Sequence, residues 1–290
     1  MCHIDIDQGE LDKGHPRTDA RFAVDANDFL RRFTDSALNR KDDWLEYAGE
    51  IRARIPRVEP VNHTGEDFIS PYDFIVDLEK VTVPDDLVIP CSSGSAFTLS
   101  MQLYKQKFGQ RMLTNKSLAS MGYGLSGAIG AAIAAQNSKR TILIEGDGGF
   151  AQNIQELGTA ELNGLNLKIF IFNDRGHASI RMTQINYFKG RYLGCDRASG
   201  LGLPNWEKVF GAWGIPVMEI NRGYADSNEF LSRFNSKGVQ AFLVKIDPEQ
   251  TYFPKISSRI TASGSMESNP IDRMTPEVNY LAGLKPFGSQ

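Results

Sequence analysis

The chain has 290 residues, of which 41% are hydrophobic and 23% are charged, and its formal net charge is −3. This composition is that of a globular protein with one large or two small domains, and the small negative charge argues against a nucleic-acid partner. No apolar run is long enough to span a bilayer and no signal-peptide pattern is found, so we expect no membrane partner. The three cysteines, Cys2, Cys91 and Cys195, show no metal-binding spacing and predict reduced thiols in a cytoplasmic protein.

Helical and apolar segments alternate between residues 70 and 250. A helix is predicted from Ser70 to about Glu79, because Ser70 and Pro71 suit the first positions of a helix. Further helices are predicted over residues 125–136, 151–163, 206–213 and 227–235, and apolar strands over residues 85–90, 141–145, 167–172, 215–220 and 241–246. Strands that alternate with helices are typical of an α/β fold with an open parallel sheet and helices on both faces.

The segments on either side of this region have weaker patterns. Residues 2–7 alternate as a β-strand does, residues 26–55 have a helical pattern, and prolines and polar residues over 56–66 predict a linker. Residues 251–290 contain four prolines and little periodicity. We therefore expect an irregular C-terminal tail.

Polar turns follow two of the predicted strands. They are Gly146-Asp147-Gly148-Gly149, after residues 141–145, and Asn173-Asp174-Arg175-Gly176, after residues 167–172. In open parallel sheets, ligands bind at the carboxyl ends of the strands. The glycines allow a ligand to approach the backbone closely, and the N–H groups of a following helix favour a phosphate. Because Asp147 would repel a phosphate, we expect Mg²⁺ between them, with Asp174 as a second carboxylate.

The spacing of these turns resembles a cofactor motif. Twenty-four residues separate Gly148 from Asn173, which is similar to the Gly-Asp-Gly and Asn-Asn motif of thiamine-diphosphate-dependent enzymes. The resemblance implies that Asp147, Asp174 and the carbonyl of Gly176 bind Mg²⁺, and that Gly146, Gly148 and Gly149 contact the cofactor. The family usually has Asn at the position of Asp174, so this chain keeps an oxygen ligand and adds a negative charge. The alternative from residue type alone is a tight turn and a strand end with solvated acids.

Two earlier runs resemble the same family. Residues 121–131 resemble a run whose Met wedges between the two rings of the cofactor, which implies that role for Met121 and a hydrogen bond from the cofactor's amino group to the carbonyl of Ala119. From residue type alone, Met121 is more often a core residue. Gly94 and Ser95 resemble the diphosphate-contacting loop of pyruvate-decarboxylase-like members, and the alternative for them is an ordinary Gly/Ser turn.

The segment after Gly176 resembles the part of the family fold that lies over the cofactor and shapes the substrate pocket. Pyruvate decarboxylases have a catalytic Glu at the position of Ile180, whereas acetolactate synthases have an apolar residue there. Thr183 falls where acetolactate synthases usually have a Trp, which implies a wider or more polar acceptor side. His177 could act as a proton donor, and the alternative is a His at the surface or beside the diphosphate. Met121, His177, Ile180 and Thr183 are therefore the candidate catalytic residues.

The resemblance as a whole implies the C-terminal cofactor-binding domain of an acetolactate-synthase-like enzyme. Such enzymes decarboxylate a 2-keto acid such as pyruvate and transfer the two-carbon unit to a carbonyl acceptor, with thiamine diphosphate and Mg²⁺ as cofactors. Their activating Glu comes from a pyrimidine-binding domain of a second subunit, so we expect a homodimer or tetramer and an inactive isolated chain. The alternatives are the same chemistry with a keto-sugar acceptor and a non-catalytic binding module with the same fold.

The resemblance also sets the expected domain boundaries. Residues 4–11 resemble the last strand of the middle domain of acetolactate-synthase-like enzymes, so residues 1–25 are expected to be the C-terminal end of such a domain; a short edge strand of the main domain is the alternative. Residues 26–66 are then a helix and linker, and residues 67–250 the diphosphate- and Mg²⁺-binding domain. Residues 251–290 are the tail.

Overall fold

The structure is a computed structural model, which describes residues 1–15, 17–34, 41–270, 273–277, 279–285 and 287–288. It divides into two compact units, one of Met1–Ile55 with Asn279–Gln290 and one of Pro56–Val278. Within the described ranges, no helix combines the length and apolar character needed to cross a membrane.

The smaller unit contains a two-stranded parallel sheet and three helices. Its elements are β1 (Cys2–Asp5), α1 (Gln8–Leu11), β2 (Ala20–Ala23), α2 (Ala26–Thr34) and α3 (Asp42–Arg54), and β1 pairs with β2. In the same unit, Trp44 of α3 packs against the ring of Phe287 with centroids 4.8 Å apart. The helix predicted over residues 26–55 is therefore two helices, and residues 35–40 between them lie outside the described residues.

The larger unit carries the predicted alternation of strands and helices. Its first half contains α4 (Pro71–Val81), β3 (Leu87–Ile89), α5 (Gly94–Leu103), β4 (Arg111–Met112), α6 (Tyr123–Ala134), β5 (Thr141–Gly146), α7 (Asp147–Phe150), α8 (Leu157–Leu162) and β6 (Leu167–Asn173). Its second half contains α9 (Ala178–Phe188), α10 (Trp206–Ala212), β7 (Val217–Ile220), α11 (Asn228–Asn235) and β8 (Gln240–Lys245).

Six of these strands form one sheet, in the order β4-β3-β5-β6-β8-β7, and every pair is parallel. Helices cover both faces, so the predicted α/β fold is confirmed. Alternate residues of β6 enter opposite cores: Phe170 packs with residues of α4, α5 and α11, and Ile169 packs with residues of α6, α8 and α10. A strand buried on both faces has an unbroken apolar sequence, which explains why β5 and β6 are recognisable in the sequence.

Two details differ from the sequence predictions. Gly94 and Ser95 do not lie in a loop but begin α5, and Gly94 turns the chain into the helix with φ of +76°. The tail is not irregular throughout, because it contains two short antiparallel pairs. These pairs are β9 (Lys255–Ile256) with β12 (Met274–Thr275), and β10 (Ser258–Ile260) with β11 (Met266–Ser268).

Candidate active site

The two polar turns meet at one edge of the sheet. Strands β5 and β6 are neighbours, and Gly146 at the end of β5 lies opposite Phe172 of β6. Because the strands are parallel, their carboxyl ends bring Asp147 and Asp174 to the same edge. The structure thus joins the two halves of the motif that the sequence separates by 24 residues.

Asp147 is fully buried in the first turn of α7. Its Oδ2 accepts a hydrogen bond of 2.8 Å from the backbone N–H of Arg175, whereas its Oδ1 has no hydrogen-bond partner among the residues that the structure describes. Burial, and then the nearby carboxyl of Asp174, raise the pKa of Asp147 well above its ordinary value. A buried acceptor without a donor is costly, so this oxygen is poised for a cation or another donor.

Asp174 is buried beside a buried arginine. The Nη2 of Arg181, on the second turn of α9, lies 3.2 Å from Oδ1 of Asp174 and donates a hydrogen bond of 3.0 Å to the carbonyl oxygen of the same residue. Oδ1 itself receives no hydrogen bond of acceptable geometry. Burial raises the pKa of Asp174 to about 6, although Arg181 opposes the rise. The second carboxylate therefore has a counter-charge inside the protein, while Oδ1 is still without a donor.

The donor set fits a divalent cation bound together with a phosphate. Asp147 and Asp174 each have a buried carboxylate oxygen that accepts no hydrogen bond from the described residues. The carbonyl of Gly176 lies close to Gly148, since a β-carbon on Gly148 would be 3.0 Å from it. Within the described ranges, no group of three or more His, Cys, Asp or Glu side chains is arranged to hold a metal. Two carboxylates and a carbonyl match the usual Mg²⁺ site, in which phosphate oxygens and water complete the shell.

A cavity of about 300 Å³ opens beside this edge. The predicted residues that line it are Gly94, Ser95, Ala119, Met121, Gly146, Gly148, Gly149, Asp174, Gly176, His177 and Ile180. Asp147 does not line the cavity. Met121 and Ile180 are 43% and 39% exposed, so Met121 is not the core residue that its type alone would favour. Gly94 and Ser95 bring the N-terminus of the ten-residue α5 to the wall, where its free N–H groups suit an anion.

The Met121 segment is fixed by side chains from two other elements. The hydroxyl of Ser92 donates to the carbonyl of Ser120 at 2.7 Å, and the amide of Asn153 donates to the carbonyl of Gly122 at 2.8 Å. Ala119 has φ of +50° and Gly122 has φ of +82°. Two left-handed residues so close together make a sharp turn, which the hydrogen bonds from Ser92 and Asn153 help to hold. This turn presents Met121 to the cavity.

Glu145 is a site residue that the sequence reasoning missed. It is 3% exposed, lines the cavity, and has an Oε2 without a hydrogen-bond partner. Burial raises its pKa to about 8, and the backbone N–H groups of Gly124 and Leu125 oppose the rise. A β-carbon on Gly124 would lie 2.6 Å from its carboxyl carbon. Glu145 therefore fills the gap between β5 and the start of α6. In the sequence, an acid two residues before Asp147 at the end of an apolar strand was the available indication.

His177 and Thr183, the other two candidate catalytic residues, lie in different surroundings. His177 is next to Gly148, and burial, followed by the charge of Arg181, lowers its pKa, which favours a neutral imidazole at pH 7. Thr183 is exposed, does not line this cavity, and donates its hydroxyl to the carbonyl of Ser179 at 2.9 Å. The structure therefore does not place Thr183 in the cavity that Met121 and Ile180 line, and its role in catalysis stays a prediction. One helical turn separates it from Ser179, and its side chain lies over a second cavity.

A parallel α/β sheet with buried carboxylates at the ends of two central strands defines a phosphate- and cation-binding class of site. Residues 92–245 match the family described as "Thiamine pyrophosphate enzyme, C-terminal TPP binding domain". The chain belongs to this family, and the predicted resemblance is confirmed.

The curated relatives include several acetolactate synthases. The chain is 24% identical to the large subunit of acetolactate synthase isozyme 1 of Escherichia coli, over 88% of the chain and 44% of that protein. It is 29% identical to the acetolactate synthase large subunit of Lactococcus lactis and 30% identical to the acetolactate synthase large subunit of Pyropia yezoensis. Each match covers 76% of the chain and 37% of the relative. The chain thus spans less than half the length of these relatives.

Proposed function

We propose that the chain is the C-terminal, cofactor-binding portion of a thiamine-diphosphate-dependent enzyme of the acetolactate-synthase type. In this proposal the enzyme decarboxylates a 2-keto acid such as pyruvate and transfers the two-carbon unit to a carbonyl acceptor. One observation carries the proposal: two buried carboxylates, Asp147 and Asp174, stand beside a cavity bordered by Met121 and Ile180, and each has an oxygen that accepts no hydrogen bond from the described residues.

The binding residues follow from the geometry of the edge. Asp147, Asp174 and the carbonyl of Gly176 would hold Mg²⁺, and the N-termini of α5 and α7 would face the diphosphate. Gly148 allows the ring of His177 and the carbonyl of Gly176 to pack closely against the backbone at this edge, because a β-carbon there would overlap His177 and lie 3.0 Å from that carbonyl oxygen. When bound, thiamine diphosphate supplies the carbon nucleophile that attacks the keto group.

The residues around the cavity would orient and shield the reacting groups. The carbonyl of Ala119 accepts a hydrogen bond from the ligand, and Met121 and Ile180 cover it with apolar surface and exclude water. Ile180 has no proton to give, so the reacting carbon receives none from that position and transfer to a second carbonyl is favoured. Neutral His177, beside Gly148, would donate a hydrogen bond to the diphosphate.

Turnover would require a partner. The proposed activating carboxylate belongs to a pyrimidine-binding domain of a second subunit, in a homodimer or tetramer. The test supplies the chain with pyruvate, Mg²⁺ and excess thiamine diphosphate, with and without that domain. We expect cofactor binding by the chain alone, turnover only with the added domain, and carboligation products in excess of acetaldehyde. Steady turnover by the chain alone, or acetaldehyde as the main product, would contradict this account.

A keto-sugar acceptor is the second candidate, and it is favoured by the position of Thr183 in a polar cavity. To distinguish the two candidate functions, pyruvate is supplied as the donor with either a 2-keto acid or a keto-sugar as the acceptor, and the products are compared. A third possibility is a non-catalytic module with the same fold. Mg²⁺-dependent binding of thiamine diphosphate, measured by calorimetry, distinguishes either enzyme from a scaffold that binds no cofactor.

A further inference from the structure

A second cavity, of about 500 Å³, lies between α9 and the C-terminal strands of the larger unit. Its polar lining consists of six hydroxyl-bearing residues, one amide and one lysine, which are Ser179, Thr183, Asn186, Tyr187, Lys255, Ser257, Ser258 and Thr275. Ser179 also lines the cofactor cavity, so the two cavities share a wall at the start of α9. This places a hydroxyl-rich space directly beside the proposed reaction site.

One cation stands in this space. The Nζ of Lys255 lies 3.3 Å from the sulfur of Met182 and 5.2 Å from the centre of the Phe253 ring. Within the part of the chain that the structure describes, Lys255 forms no ion pair, and no acidic side chain lines the cavity. Burial lowers the pKa of Lys255. Burial removes water from its ammonium group, and no carboxylate takes the place of that water. A bound anion would supply the charged hydrogen-bond partner that the ammonium group lacks.

We propose that this second cavity binds the anionic end, carboxylate or phosphate, of a hydroxylated acceptor, with Lys255 as its counter-charge. The inference deepens the proposed function and rests on it, because only that function makes the bound molecule an acceptor substrate. The hydroxyl and amide groups match a ligand rich in oxygen atoms, while Met182 and Phe253 cover its carbon chain. Because Ser179 borders both cavities, an acceptor held here would direct its other end towards Ile180.

The experiment observes Lys255 directly. Lysines of the full chain are reductively methylated with ¹³C-formaldehyde, which keeps their positive charge, and the Lys255 signal is assigned by its loss in Lys255→Arg. Inorganic phosphate, glycerol 3-phosphate and lactate are then titrated as unreactive probes that separate phosphate from carboxylate recognition. Lys208, exposed on α10, provides the control signal.

We expect a saturable shift of the Lys255 signal, with glycerol 3-phosphate or lactate binding more tightly than inorganic phosphate, and no such shift of Lys208. By calorimetry, Lys255→Met should weaken binding of the better probe by about tenfold, while Lys208→Met and Lys255→Arg should retain it. A Lys255 signal that moves no more than that of Lys208 overturns the inference.

A parallel titration with Mg²⁺ and thiamine diphosphate separates this inference from the proposed function. Parent and Lys255→Met should bind the cofactor equally, because Lys255 does not line the cofactor cavity. Cofactor binding without an anion-dependent Lys255 shift would overturn the anion site and leave the proposed function standing. An anion-dependent shift without cofactor binding would support the anion site and overturn the proposed function.

Discussion

Arg181 and Asp174 form a buried ion pair, with Nη2 and Oδ1 3.2 Å apart and each side chain 4% exposed. Asp174 stands where the related motif usually has Asn, and in this fold the extra negative charge is accompanied by the guanidinium of Arg181, near the start of α9. The pair keeps the edge of the sheet from carrying two uncompensated carboxylates. It therefore explains how Asp174 can stand next to Asp147 in a buried site.

Removing either member of the pair should destabilise the chain, and removing both should cost less than the sum. Arg181→Met leaves a buried carboxylate without its cation and is expected to cost about 3–5 kcal/mol. Asp174→Asn should cost about 1–3 kcal/mol, because Arg181 still donates to the carbonyl of Asp174. Urea unfolding of the parent, both single variants and the double variant gives the coupling free energy. Strictly additive losses would mean that the two side chains do not depend on each other.

Asp147 should favour ligand binding at the expense of stability. Asp147→Asn keeps an acceptor for the N–H of Arg175 and removes a charge from a buried pair of carboxyls whose pKa values are raised. We expect the ligand-free chain to gain about 1 kcal/mol at pH 7. Binding of the Mg²⁺–thiamine diphosphate complex should weaken by roughly a hundredfold, or about 3 kcal/mol.

The matched control for Asp147 is Asp85→Asn, an exposed carboxylate in the same unit that pairs with Lys139. It should change neither unfolding nor cofactor binding by more than about 0.5 kcal/mol. Calorimetry and urea unfolding on the same three proteins make the comparison. Unchanged cofactor affinity in Asp147→Asn would remove this residue from the metal site.

The central strands could be predicted because β5 and β6 are buried on both faces, so that residues 142–144 and 169–172 appear in the sequence as apolar runs. The glycines and acids of the two turns could be placed at one edge because parallel strands end together. The roles of Arg181 and Glu145 could not be predicted, since each depends on a contact between separate elements: α9 with the end of β6, and β5 with the start of α6. The cavity that Thr183 lines could not be predicted for the same reason, because the segment that shares this cavity, around Lys255, is distant in sequence.

Because of Lys168, the free energy of unfolding should increase with pH above about pH 8. It is fully buried in β6, where its Nζ donates to the carbonyl of Gly238 at 2.7 Å and to the side chain of Asn166 at 2.9 Å. Burial, and then the charge of Arg140, lower its pKa from 10.5 to about 8. Between these values the unfolded chain binds more protons than the folded chain, so stability increases by at most about 1.4 kcal/mol per pH unit.

Below pH 8, Lys168 is protonated in both states and its contribution to the pH dependence vanishes. Urea unfolding from pH 7 to 10 should therefore show a steeper rise for the parent than for Lys168→Met, with Lys208→Met as the surface control. Parallel curves for the parent and Lys168→Met would show that the hydrogen bonds to Gly238 and Asn166 keep the ammonium group charged in the folded state.

Gly148→Ala should block the diphosphate side of the site while the fold persists. A β-carbon at Gly148 would overlap the ring of His177 and lie 3.0 Å from the carbonyl oxygen of Gly176, so His177 must move and the carbonyl is crowded. We expect a loss of about 1–3 kcal/mol in unfolding free energy and cofactor binding too weak to measure by calorimetry.

Gly130→Ala is the matched control, because a β-carbon there meets nothing within 4 Å in the middle of α6. It should stabilise the chain by about 0.5–1 kcal/mol and leave cofactor binding intact. Equal cofactor affinity in the two variants would mean that the space beside Gly148 is not where the diphosphate binds.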